Sequence, residues 1–274
     1  MTDNSKIPTL NAWLQASIQQ LQAAAFDSAR LDSELLACAV LNKPRTWLHA
    51  HSEHELSAVE QDELNTLLQR RLNHESIAYI IGEKEFYGRT FSVNSSVLVP
   101  RPESEDFITV IKTLPKNLTY IDIGTGTGIL AITTALEQPT WSGTATDISP
   151  EALKVAQANA TKRGAENLVF KVQNLVVDDP QKYDLFLANL PYVPTNLRNK
   201  ADISHEPEIA LFADHHGLAL YEALFQQIRG RQHKPTHVLT ESLLDQHRSL
   251  KKMAEEAGYN LKDTEGLIQH FVRG

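Results

Sequence analysis

The sequence has a single cysteine, Cys38, so no disulfide can form within the chain, and a reducing compartment suits it. It has no run approaching the roughly 20 apolar residues that a membrane helix needs. Its longest apolar blocks, such as Leu35-Leu-Ala-Cys-Ala-Val-Leu41, are of the length buried on helix faces. Nor is there an apolar stretch behind Lys6, so Met1 to Pro8 does not read as a signal peptide, and a cytoplasmic location is expected. Basic blocks are missing too. Lys and Arg total 26 against 34 Asp and Glu, a net charge of −8, and Arg70-Arg71 and Lys251-Lys252 are isolated pairs. Proteins that hold nucleic acid through its phosphates usually carry a basic face, so direct nucleic-acid binding is not expected. His51, His54, His215 and His216 lack companion ligands at useful spacing, and no metal site is expected. Ser104 and Ser242 have no evident His and Asp partners for hydrolase chemistry. Internal repeats and low-complexity segments are absent.

The 274 residues are enough for one large or two smaller domains. Over residues 9–74 apolar side chains recur at helical spacing: Leu10, Trp13, Leu14, Ile18 and Leu21; Leu31, Leu35, Cys38 and Ala39; Leu64, Leu67, Leu68 and Leu72. Ser57-Ala-Val-Glu60 has capping-box form, and Pro44 opens a short helix through Trp47 and Leu48. A small helical bundle without catalytic motifs is expected over 1–75, suited to packing or to docking a partner. Residues 76–100 read as a β-hairpin linker, because Glu85 to Val93 alternates around Gly88. Pro102 then starts a helix carried on by Phe107, Ile108 and Ile111. From residue 119 strands and helices alternate. Strands are expected at 119–123, 143–147, 168–173, 183–188 and 236–241, with a final pair at 259–263 and 267–272. Helices are expected at 128–137, 150–163, 217–230 and 246–257. This α/β alternation predicts a mostly parallel sheet covered by helices over 101–274. Pro194 to Asp214 reads as a long polar loop that starts directly at the expected active site.

Two turns carry the chemistry. The first, Tyr120-Ile-Asp-Ile-Gly-Thr-Gly-Thr-Gly128, runs from a strand through a glycine turn into a helix. Gly124, Gly126 and Gly128, with Thr125 and Thr127 between them, let the backbone approach a ligand closely. Asp122 is placed to orient backbone amides or a ligand ammonium group. Asp147, at the end of the next strand, is placed to accept hydrogen bonds from ribose hydroxyls, while Ser149 is the better helix cap. Asn174 and Leu175 end the third strand, where an adenine amino group and ring would lie. The second turn, Asn189-Leu-Pro-Tyr192, follows the apolar strand Tyr183 to Ala188. A glycine turn alone is ambiguous among nucleotide-type cofactors. Its combination with Asn-x-Pro-Tyr points to methylation of a planar nitrogen with S-adenosyl-L-methionine. The nitrogen's delocalised lone pair makes it a poor nucleophile. The Asn189 side-chain oxygen and the Leu190 carbonyl would accept its two N–H bonds, aim it at the methyl and favour the developing charge. Tyr192 would offer a stacking face.

In this order the motifs resemble the bacterial release factor glutamine methyltransferases (the PrmC/HemK family). The resemblance runs through nearly the whole chain. Besides the two turns it includes Arg70-Arg71, Ile77-Ala-Tyr79, Gly82, Glu85-Phe86, Pro100-Arg-Pro-Glu103, Glu206-Pro207 and Ala210-Leu211. Leu190 replaces the first proline of the usual Asn-Pro-Pro-Tyr, Asn174 replaces a common Asp, and the tail Glu265 to Val272 follows a different pattern. The resemblance implies a Rossmann-like class I methyltransferase fold behind a helical domain. It also implies methylation of the glutamine in the Gly-Gly-Gln motif of peptide chain release factors. Gly124 to Gly128, Asp147, Leu175 and Asn189 would contact cofactor, Asn189, Leu190, Pro191 and Tyr192 would hold the glutamine, and the helical domain would dock the factor. The rival readings are an adenine N6-methyltransferase acting on RNA or DNA and a non-enzymatic cofactor-binding protein.

Overall fold

The computed structural model describes residues 8–177, 179–197 and 205–274. The chain divides into two compact units, one running to Gly82 and joined by His205, the other starting at Glu83.

In the first unit, α1 (Leu10–Ala23), α2 (Ala29–Leu41), α3 (Arg45–Ala50), α4 (Ala58–Leu72) and α5 (Ile77–Ile81) surround one apolar core. The periodic residues Leu10, Trp13, Leu21, Leu36, Leu64 and Leu68 are its buried members. Trp13 Nε1 donates to Asn65 Oδ1 at 3.0 Å, which ties α1 to α4. Ser57 and Glu60 form the expected capping box. Arg71 donates to Asp32 at 2.7 Å and lies over the Phe26 ring, and Arg70 pairs with Glu75. Both arginines of the basic pair are therefore engaged inside the unit.

The second unit opens with the hairpin β1 (Glu83–Phe86) and β2 (Arg89–Ser92). The hairpin is shorter than the 76–100 segment read from sequence. Residues 77–81 are helical because Ala78, Tyr79 and Ile80 are all buried, which a helix turn ending at left-handed Gly82 achieves and an alternating strand does not. A 3-10 turn (Pro102–Glu105) leads into α6 (Asp106–Ile111). The alternating part follows as β3 (Thr119–Ile123), α7 (Ile129–Glu137), β4 (Ser142–Asp147), α8 (Pro150–Arg163), β5 (Leu168–Val172) and β6 (Leu185–Ala188). Later come β7 (Val193–Pro194), α9 (Glu208–Leu211), β8 (Phe212–Ala213), a left-handed turn at Asp214–Gly217 and α10 (Ala219–Gly230). The chain closes with β9 (His237–Glu241), α11 (His247–Glu256), β10 (Tyr259–Glu265) and β11 (Ile268–Arg273).

Seven strands form one sheet in the order β10-β11-β9-β6-β3-β4-β5. The five strands from β9 to the β5 edge are parallel, and the β10–β11 hairpin closes the other edge antiparallel. Central strands β3, β6 and β9 are buried along nearly their whole length, as strands covered by helices on both faces must be. The expected Pro194–Asp214 loop is partly structured. Val193–Pro194 pairs in parallel with Phe212–Ala213, and Glu208–Leu211 is helical. Residues 198–204 of that segment lie outside the described residues. Among the described residues no helix is long and apolar enough to cross a membrane.

Candidate active site

Strand register assembles the site. Chain order reverses around β3, which has β4 on one side and β6 on the other. Ligands of such sheets bind beyond the carboxyl ends of the strands at this switch point. Ile123 pairs with Ala188, and Ala188 pairs with Thr240. The next residue of each strand therefore stands at the same rim: Gly124, Asn189 and Glu241.

The glycine turn is built on positive φ angles, +72° at Gly124, +54° at Gly126 and +81° at Gly128. A Cβ on Gly126 would meet no protein atom within 4 Å, whereas one on Gly128 would lie 2.9 Å from Ile132 and 3.0 Å from the Ala156 methyl group. Gly128 thus permits α7 to pack on α8, and Gly126 keeps open space at the cavity. Asp122 is buried beneath the turn and accepts from Thr125 Oγ1 at 2.6 Å and from the Ala131 amide at 3.1 Å. Burial pushes its carboxyl up to about 6, against the pull of those two hydrogen bonds. It orients the turn and the start of α7. Asp147 accepts from the Gly126 amide and, through its other oxygen, from the Ser149 amide, both at 2.9 Å. Ser149 caps α8, as expected. Asn174 and Leu175 lie just past β5, which ends at Val172, and Leu175 has a left-handed backbone.

These elements line a cavity of about 460 Å³. Asp122, Gly124, Thr125, Gly126, Thr127, Asp147, Asn174, Leu175, Asn189, Leu190 and Pro191 reach it. Gly128 and Tyr192 are not part of its lining. Gly128 works in helix packing, and the Tyr192 hydroxyl turns inward to donate to Glu241 at 2.9 Å. Burial and the Glu241 carboxylate push the Tyr192 hydroxyl far above the ordinary phenol range, so it stays protonated as a donor.

The Asn189-Leu-Pro-Tyr192 turn is fixed from behind. Asn189 Nδ2 donates to Ser104 Oγ and to Glu241 Oε2, each at 2.9 Å. The Leu190 amide donates to the Tyr221 hydroxyl at 3.2 Å. Leucine at this position keeps an N–H that proline would lack, and Tyr221 uses it. The Tyr192 carbonyl accepts from Gln246 Nε2 at 2.7 Å, and the same nitrogen reaches the His216 carbonyl at 2.8 Å. His215, His216 and Gly217 are all left-handed, and a Cβ at Gly217 would collide with the Tyr192 carbonyl. Arg101, three residues before Ser104, pairs with Glu206 at 2.6 Å, and Glu206 also accepts from the Val99 amide. This joins two segments that sequence reading left without a role.

Sequence reasoning did not find Glu241, Tyr221 or Gln246, and it considered Ser104 only as a nucleophile. A charged residue ending the otherwise uncharged run His237-Val-Leu-Thr-Glu241 was the available signal. No sequence pattern marks Tyr221 or Gln246, whose partners in the Asn189–Tyr192 turn lie 31 and 54 residues away.

The residues fit S-adenosylmethionine. Gly126 leaves room for close approach, Asp147 is an acidic group at the cavity wall, and Ile148, Leu175 and Leu190 supply apolar surface. Among the described residues of the lining the only cation, Arg101, is already paired with Glu206, so the wall suits a ligand without phosphates. Among the described residues no group of three or more His, Cys, Asp or Glu side chains is placed to hold a metal ion.

Residues 12–82 match the PrmC N-terminal domain family and residues 114–266 a methyltransferase domain family. The chain is 34% identical over 264 residues to the release factor glutamine methyltransferase of Coxiella burnetii, covering 93% of this chain and 95% of that one. It is 37% identical over 228 residues to the protein of the same name from Koribacter versatilis, covering 80% and 81%. Among solved structures, the hMettl16 catalytic domain in complex with MAT2A 3'UTR hairpin 6 superposes with a TM-score of 0.55 at 14% identity, covering 79% of this chain and 81% of that one. A methyltransferase from Pyrococcus furiosus gives 0.51 at 18%, covering 77% and 99%. At those identities the two structures establish the fold alone.

Proposed function

Because the chain belongs to the release factor glutamine methyltransferase family, we propose that it methylates the side-chain amide nitrogen of the glutamine in the Gly-Gly-Gln motif of peptide chain release factors. When bound, S-adenosylmethionine supplies an electrophilic methyl group. The chain's own residues do the rest. Asp147 and the glycine turn seat the cofactor. Asn189 and the Leu190 carbonyl present two acceptors to the two N–H bonds of the substrate amide. The turn that carries them is preorganised: Asn189 Nδ2 is held by Ser104 and Glu241, the Leu190 amide by Tyr221, and the Tyr192 carbonyl by Gln246. Contacts to these acceptors strengthen as the amide nitrogen loses conjugation and gains positive character, which is where such contacts accelerate a reaction. The proton leaves after transfer, so no strong base is required beside the nitrogen.

One observation carries this reading. Asn189 Nδ2 is fully occupied by two inward acceptors, so the carboxamide offers its oxygen to the cavity side as an acceptor for an N–H donor. The helical unit would dock the body of the release factor, since its described residues hold no reactive constellation. A cytoplasmic site of action follows from that substrate. Methyl-labelled S-adenosylmethionine with a release factor and total RNA in one mixture tests the proposal. Label on the glutamine of the factor supports it, and label on RNA adenine supports the rival.

A further inference from the structure

Glu241 is wholly buried at the end of β9 and lies in the sheet rim one position beyond the Ala188–Thr240 pair. Three donors converge on it. Oε2 accepts from Ser104 Oγ at 2.7 Å and from Asn189 Nδ2 at 2.9 Å, and Oε1 accepts from the Tyr192 hydroxyl at 2.9 Å.

An ionised carboxylate only accepts. That fixes the sense of every bond around it. Ser104 has one hydroxyl hydrogen and gives it to Glu241, so toward Asn189 the Ser104 oxygen can only accept. Asn189 then faces two acceptors, and only its amide nitrogen satisfies both. Its oxygen must turn the other way. An asparagine flipped by 180° would aim an NH₂ group at a substrate amide that also donates, and the two would repel.

We infer that Glu241 is a positioning residue for methyl transfer: as an acceptor-only group it sets, directly and through Ser104, which face of the Asn189 carboxamide meets the substrate nitrogen. The inference rests on the proposed amide-methylating role of Asn189. Burial holds the Glu241 carboxyl above its ordinary range, against the Ser104 and Tyr192 hydrogen bonds and with the nearby Glu103 and Asp106. Its acceptor role rests on the geometry, in which all three partners present donors to it. Tyr192 gains from the same anchor, because its hydroxyl ties the end of the turn to the group that orients its beginning.

A double-mutant cycle on single-turnover methylation tests this, with cofactor affinity read by calorimetry and KM for the release factor read separately. Glu241→Gln keeps the shape but introduces a donor into the cluster. It should slow transfer by about 10–100-fold while leaving cofactor affinity and the release-factor KM within about twofold, a split that lost fold integrity would not give. Asn189→Ala should lose about 10²–10³. If Glu241 acts through Asn189, adding Glu241→Gln to Asn189→Ala should cost less than about threefold more. Losses that multiply, or a Glu241→Gln rate equal to wild type, overturn the inference. Should Glu241→Gln fail to bind cofactor, Ser104→Ala takes its place in the same cycle, with the same non-additivity expected. The wild-type reaction reports separately on the substrate. Label on RNA in place of the release factor would refute that substrate, and the cycle would then be read on the nucleic-acid amine, which needs the same acceptor face.

Discussion

Asp147, at the end of β4, accepts a hydrogen bond from the Gly126 amide at 2.9 Å and so holds the glycine turn that follows β3. Its role is therefore double, since the same carboxylate lines the cavity. Asp147→Ala should weaken S-adenosylmethionine binding by roughly 1–3 kcal/mol, the cost of unmade hydrogen bonds to a charged acceptor. Calorimetry that found the affinity unchanged in the folded variant would contradict this.

Two glycines of the turn should respond differently. Both are left-handed, so a side chain strains the backbone at either one. Gly126→Val adds its branches where no protein atom stands, so beyond that strain its damage should fall on the ligand, and cofactor binding should be lost. Gly128→Ala instead meets Ile132 and Ala156 and also strains a left-handed residue, so its damage should fall on the fold. Overpacking of this kind costs about 1–3 kcal/mol. Thermal unfolding and calorimetry on both variants check the contrast. A Gly126→Val protein with wild-type affinity would contradict it.

The helical unit should serve capture of the protein substrate. A protein beginning at Glu83 is the appropriate truncation, because Ile80 belongs to the core of the first unit and Ile77 and Ile81 pack against it. It should keep cofactor affinity and lose most of its kcat/KM on an intact release factor, since remote docking energy would be gone. Full activity of that protein on the intact factor would rule out docking as the unit's role.

His237 and His270 stand side by side on β9 and β11, their nitrogens 3.0 Å apart, both buried. Burial, with His237 and Lys262 nearby, pushes His270 down to about 4 from an ordinary 6.5, and Asp263 opposes this weakly. The unfolded chain takes up a proton as pH falls through 6.5 and the folded chain does not until about 4. Stability from this residue is present above 6.5 and lost across that window, by at most about 3 kcal/mol. Asp122 acts in the opposite direction. Its folded value near 6 lies above the ordinary 3.8, so its contribution is present below 3.8 and lost as pH rises through 6. His270→Gln should therefore lose less stability than wild type between pH 7 and 5. Urea midpoints measured across that range test it, and parallel curves for the two proteins would contradict it.

Much of this arrangement was legible in the sequence. Residues 119–123 and 150–163 are strand and helix over the ranges read from periodicity and caps. They are strongly patterned, with a buried parallel strand in one case and Ser149-Pro150 with Gly164 in the other. The two turns declared themselves because glycine at positive φ and Asn-x-Pro-Tyr have local signatures. The helix at 77–81 was missed because an apolar run of five residues carries no period. The network behind Asn189 was invisible for another reason. Ser104, Tyr221, Glu241 and Gln246 come from four separate segments, and only the strand order and register bring them to one rim. Asp147 and Tyr192 show the same limit from the other side. Motif position placed both near the ligand, and the fold turned one toward the glycine turn and the other inward to Glu241.

The central claim is that the Asn189 carboxamide holds a substrate amide for methylation. Single-turnover reaction of wild type and Asn189→Ala with a release factor, with the methyl group located by mass spectrometry, tests it most directly. The account predicts the methyl on the glutamine of Gly-Gly-Gln in wild type, and a rate lower by about 10²–10³ in Asn189→Ala with cofactor affinity much less affected. A near-wild-type rate in Asn189→Ala, or a methyl group found elsewhere on the factor, would contradict it.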